Sequence, residues 1–117
     1  MTYATLATDS GYFDQTLLDS VTDAVKSILG DEVVESLFTH IEAHNRLTRH
    51  DIARQPDVFF TSLEEAFGPV SGKTIGRFII KLLYARLGLT FDSKSNRILL
   101  DYVEDARRRL CRGERVA

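Results

Sequence analysis

Apolar residues recur along this chain at intervals of three and four, the spacing of helices that bury one face, and strand-like alternation is almost absent. From Asp14 the series Leu17, Leu18, Val21, Ala24, Val25, Ile28 and Leu29 predicts one amphipathic helix. Gly30 is placed to end it in the left-handed conformation that glycine adopts without steric cost. Asp31 stands where an N-cap belongs, and Glu32 complements the helix dipole in the first turn. Val33, Val34, Leu37, Phe38 and Ile41 then give a second helix its inner face. Thr48 followed by Asp51 resembles a capping box with Asp in place of the usual Glu, anchored by Ile52. Pro56 suits the first turn of a third helix carrying Phe59, Phe60, Leu63, Ala66 and Phe67, which Gly68-Pro69 stops.

The next helix, over about residues 70–87, decides the architecture. It carries Ile75, Phe78, Ile79, Leu82, Leu83 and Leu87 and is apolar on nearly every side, so it needs neighbours on nearly every side. Gly88-Leu89 fits a Schellman ending. A last helix carries Ile98, Leu99, Tyr102, Val103, Ala106 and Leu110, with Arg97–Asp101, Glu104–Arg108 and Asp105–Arg109 as outward pairs of opposite charge one turn apart. The fold class expected is all-α, a compact single-domain bundle of five or six helices around the central helix. Residues 1–13 are expected to be loosely ordered, with Tyr12 and Phe13 docking, residues 14–110 to form the helical domain, and residues 111–117 to form a basic tail. Phe59, Leu63, Phe67, Ile75, Phe78, Ile79, Leu82 and Leu83 are expected to be buried. Ile80, Tyr84 and Tyr102 lie off these core lines and are expected to contribute an exposed apolar patch.

Composition narrows the class. A chain of 117 residues, 44% hydrophobic and 27% charged, has enough apolar content for one core and too much for disorder. Its single cysteine, Cys111, excludes an internal disulfide. No apolar run approaches the length of a membrane span, and the opening MTYATLATDSGYFD lacks the pattern of a secretory signal. The expected location is therefore cytoplasmic, with no membrane association. A net charge of −2 argues against a protein that coats nucleic acid by bulk charge.

Two motifs invite chemistry and fail on inspection. Gly68-Pro69-Val70-Ser71-Gly72-Lys73-Thr74 has one residue too few before its Gly-Lys pair for a phosphate-binding loop. A helical pattern precedes it where that loop needs a strand, and Pro69 removes an N–H. It is read as a helix–helix turn with Ser71 as N-cap, and Gly72 and Gly76 as sites of close backbone approach. His40 and His44, one helical turn apart, have the spacing of two ligands to one metal, but they sit on the polar face and no HEXXH is present. No catalytic, cofactor-binding or metal-binding residue is assigned, and the chain is not expected to be an enzyme.

What stands above background is charge. Lys73, Arg77 and Lys81 recur every four residues on the one face of the central helix left for solvent or a partner. Arg107, Arg108, Arg109 and Arg112 add cations near the end of the chain. Together these seven form the candidate surface for an anionic partner; pairing of the helix stripe with Glu64 or Glu65 is the alternative within the fold. The run Asp57-Val58-Phe59-Phe60 … Leu63-Glu64-Glu65-Ala66-Phe67-Gly68, followed by Ile75, Ile79, Leu82-Leu83, Leu87-Gly88-Leu89 and Phe91, resembles a small helical family of archaeal signalling output modules, the Nitrosopumilus output-domain type. The resemblance covers roughly residues 33–103 and departs at Pro69-Val70-Ser71-Gly72, where helix formers would stand. It implies a non-enzymatic regulatory module that works by protein–protein association, with itself as a homodimer or with another protein. A nucleic-acid-binding regulator using the basic stripe and the arginines is the alternative.

Overall fold

The computed structural model describes residues 2–91 and 98–111, and side chains within 11–91 and 98–110. Five α-helices follow one another: α1 (Thr2–Leu29), α2 (Asp31–Asn45), α3 (Pro56–Phe67), α4 (Pro69–Leu87) and α5 (Leu99–Cys111), with a 3₁₀ turn at Arg49–Asp51 between α2 and α3. No strand occurs among the described residues, so the chain is all-α.

The helix α4 is the hub, packed against α3, α1 and α5. The core runs through Leu17, Val21, Ile41, Leu63, Ile79 and Leu83, all almost wholly removed from solvent. Buried hydroxyls do not disturb it. Ser20 donates to the Thr16 carbonyl at 2.8 Å and Ser62 to the Val58 carbonyl at 2.9 Å, so each hydroxyl is satisfied one turn back on its own helix.

The expected boundaries shift in several places. The helix α1 begins at Thr2 rather than Asp14, and Phe13 is core, because Phe13, Leu17 and Val21 form one stripe four residues apart. Gly30, with φ of 97° and ψ of 163°, has positive φ but an extended ψ, and it precedes α2 as the N-cap. Asp31 is consequently the first residue of the helix rather than its cap. Gly68 likewise closes α3 and opens α4 with φ of 90°, which puts Pro69 in the first turn and Ser71 inside the helix instead of at its cap. Ile98 precedes α5 and is exposed, while its N–H donates to Asp101 at 3.1 Å. Gly88 ends α4 as expected. It is left-handed, its N–H and that of Leu89 donate to Ala85 and Tyr84 at 3.2 and 2.9 Å, and Leu89 is buried behind it.

Burial on α4 also differs from expectation. Phe67, Phe78 and Leu82 are only partly covered, whereas Ile80, Tyr84 and Tyr102 are buried, so these three form no exposed patch. The reason is a second apolar stripe on α4, which α5 and the segment after Gly88 cover. Tyr84 meets Phe91 edge-on with ring centroids 5.3 Å apart, and Phe91 meets Tyr102 at 5.3 Å. The Tyr84 hydroxyl lies 2.9 Å from the Tyr102 carbonyl and 2.7 Å from the Asp105 carboxylate. Periodicity ranked this stripe second because it is broken by glycine and tyrosine, not because it faces water.

Gly72 marks the close backbone approach that the sequence implied, whereas Gly76 faces side chains instead. A Cβ at Gly72 would lie 2.7 Å from the Glu64 Cα and 2.8 Å from its nitrogen, which are backbone atoms of α3. At Gly76 it would collide with the Leu99 side chain. Gly11, inside α1, has open space around its missing Cβ. The two glycines should therefore respond oppositely to alanine in urea titrations. Gly72→Ala should lose about 1–3 kcal/mol because α3 must move, outweighing the gain in helix propensity. Gly11→Ala should gain about 0.5–1 kcal/mol from propensity alone.

The turn at Arg49–Asp51 is held as its sequence predicts. The Thr48 N–H and hydroxyl donate to the Asp51 carboxylate at 3.3 and 2.9 Å, and Ile52 is buried beneath. Those bonds, the hydroxyl's first, hold the Asp51 carboxyl below its ordinary range. The folded state thus binds this proton more weakly than the unfolded chain. The contribution is complete above the ordinary aspartate value and disappears as pH falls through the lower folded value. In acid titrations the stability advantage of the wild type over Asp51→Asn should shrink in that window and stay flat at neutral pH.

Candidate interaction face

The solvent-facing sector of α4 follows from what covers the rest of the helix. At roughly 100° per residue, Lys73, Arg77 and Lys81 advance by about 40° each time and so occupy one sector. It is the sector that α1, α3 and α5 leave open, and all three cations are exposed. Among the described residues none of the three forms an ion pair, with Glu64, Glu65 or any other carboxylate. Val70, 80% exposed, extends the sector toward the start of the helix.

The half-buried Phe78 and Leu82 border this sector on one side. They form the floor of a groove of about 660 Å³ whose opposite wall is the end of α1 and the start of α2, including Ser27, Gly30 and Asp31. Arg86 reaches across one part of the groove to pair with Asp23, and Lys26 pairs with Asp31 at 3.6 Å. The end of α1 also leaves Ile28 and Leu29 exposed. The expected stripe therefore has an apolar margin and a wall of mixed charge beside it, neither of which the sequence singled out. The available signal was the Gly30 break, which brings Asp31 back toward α1 and α4.

The arginines of α5 divide between inward and outward roles. Arg107 turns inward: it donates to the Ala53 carbonyl at 2.7 Å, approaches Asp14 at 3.5 Å and lies 4.4 Å over the Phe13 ring. Arg109 donates to the Thr90 carbonyl at 3.0 Å and pairs with Asp105 at 3.5 Å. Arg108 is exposed and approaches Asp105 at 3.9 Å, where pairing with Glu104 was expected. Arg112 lies outside the described residues. Of the seven candidate residues, the α4 trio shares one open sector, while Arg107 and Arg109 are held by the fold.

The two chemical motifs resolve differently. Lys73 lies within α4 and the element before it is the helix α3, so the Gly68–Thr74 segment has neither the strand nor the loop that cradles a phosphate. His40 and His44 are exposed with ring centroids 4.1 Å apart. No group of three or more His, Cys, Asp or Glu placed to hold a metal occurs among the described residues. No helix among them is long and apolar enough to cross a membrane.

Compared with known proteins, the chain matches no family model, no curated protein and no solved structure.

Proposed function

We propose that this chain is a non-enzymatic regulatory module, working in the cytoplasm, that acts by protein association through the open sector of α4. The observation that carries the reading is the trio Lys73, Arg77 and Lys81, without an ion pair among the described residues, beside the partly apolar groove of Phe78 and Leu82. Exposed cations next to half-covered apolar side chains suit a partner with acidic and apolar groups together, since the apolar contact supplies affinity and the charges supply orientation and encounter rate. The resemblance to archaeal output modules agrees with such a role.

Binding of nucleic acid is the second reading, and the same trio favours it. Against it, Arg107 and Arg109 are engaged within the fold, and Asp31 stands on the facing wall of the groove. Titration of a labelled glutamate-rich peptide and of a random DNA duplex, each over a range of salt, separates the two. The expected result is saturable peptide binding lost in a Lys73→Glu/Arg77→Glu/Lys81→Glu variant that melts like the wild type. Tight duplex binding that falls steeply with salt, without peptide binding, would establish the second reading instead.

A further inference from the structure

Resting on that reading of α4, we propose that the partner is a second copy of this chain. The two copies are related by a two-fold axis, and the cationic sector of α4 in each lies on the acidic flank of α2 in the other.

The chain carries both halves of such a contact. On α2, Asp31, Glu35 and Glu42 fall within about 40° of one another around the helix axis. All three are exposed. Glu42 makes no ion pair among the described residues, and the pairs of Asp31 with Lys26 and of Glu35 with Arg49 join strongly exposed side chains. Such pairs are held weakly and exchange readily for others. The reach also matches. Lys73 to Lys81 spans roughly 12 Å along α4, and Asp31 to Glu42 roughly 16 Å along α2.

Their placement allows the contact to be made twice. Asp31, the first residue of the acidic flank, lines the same groove as Phe78 and Leu82 of α4. The groove therefore has the first residue of the acidic flank on one wall and, on its floor, the two α4 side chains that border the cationic sector. A two-fold operation sets the acidic flank of each copy beside the cationic sector of the other, which is the self-complementarity a closed dimer requires. Phe78 and Leu82 on the groove floor, with Ile28 and Leu29 exposed at the end of α1, supply apolar area that the charges orient. A nucleic acid in the same groove would meet the carboxylate of Asp31, whereas a second copy meets it with a cation.

The test is sedimentation velocity over about a hundredfold dilution, at about 0.05 M and about 0.5 M salt to vary the screening. The wild type should be a dimer that dissociates on dilution, and more readily at the higher salt. Lys73→Glu/Arg77→Glu/Lys81→Glu should weaken self-association by at least about tenfold, and so should Asp31→Lys/Glu42→Lys. Mixed together, the two variants should form a heterodimer, because both contacts then regain opposite charges. Thermal melts check that each variant folds, and Glu35→Lys/Glu42→Lys replaces the second if Asp31→Lys disturbs the start of α2. A wild type that stays monomeric throughout overturns the proposal, as does a dimer that neither variant weakens or a mixture that stays monomeric. A monomeric wild type whose glutamate-peptide binding is still lost in the α4 variant leaves the α4 reading standing and removes only the second copy. Peptide binding unchanged in that variant removes the α4 reading itself.

Discussion

Leu83→Ala should cost about 2–5 kcal/mol of stability, and Leu82→Ala, one residue away, only about 1 kcal/mol. Leu83 is wholly buried at the centre of α4, which packs against α1, α3 and α5, so its truncation leaves a cavity that fixed backbones cannot close. Leu82 is half-covered on the groove floor, where water or a shifted side chain takes up the lost volume. Typical domains hold only about 5–15 kcal/mol in total, so the first change brings a chain of this size close to unfolding while the second leaves it intact. Urea titration followed by far-ultraviolet circular dichroism reads the difference as a shift in midpoint at constant slope. Equal losses at the two positions would mean that the covered and open sides of α4 are misassigned.

Arg107→Ala should cost about 2–3 kcal/mol, against nearly nothing for Arg108→Ala. The Arg107 guanidinium ties α5 to two other parts of the chain: the Ala53 carbonyl before α3 and, on α1, Asp14 and the face of Phe13. Its removal leaves a carbonyl without a charged donor and uncovers an aromatic ring in the core. Lysine should restore only part of the loss, because an ammonium cannot stack flat on Phe13 while donating sideways to the carbonyl. Arg108 is exposed, and its ion pair among the described residues is with Asp105 at 3.9 Å on the surface. Thermal melts of the three variants, compared at two ionic strengths, check this. A salt-sensitive loss at Arg108 as large as that at Arg107 would overturn the division.

How much of this was legible in the sequence depends on the range of the interaction concerned. Helices announced themselves through local spacing, and the glycine turns and the Thr48–Asp51 box through local chemistry. Gly72 could be read as a contact point because a close neighbour gives a glycine one turn into an apolar helix a reason to be there. Burial around α4 could not be read so well, because Ile80, Tyr84 and Phe78 are equally apolar and the distinction between them comes from α5, far along the chain. Arg107 misled for the same reason. Within its own helix it belongs to a basic cluster, and only packing against Phe13 and Ala53 gives it a place inside the fold. The α4 trio was visible as a pattern; its lack of ion pairs among the described residues and its apolar margin needed the neighbouring helices.

The corner at Gly68 has a consequence for how this chain tolerates change in length. One residue ends α3 and begins α4, with no spacer to absorb an insertion. A single added residue there would advance α4 by roughly 100° about its axis. That rotation would carry Arg77 into the half-buried place of Phe78 and Ile80 out to the exposed place of Lys81, and Gly72 would no longer face α3. Relatives of this protein, once aligned, are therefore expected to vary in residue type but not in number between Phe67 and Val70. Length variation would be borne by joints that do not set the phase of a central helix.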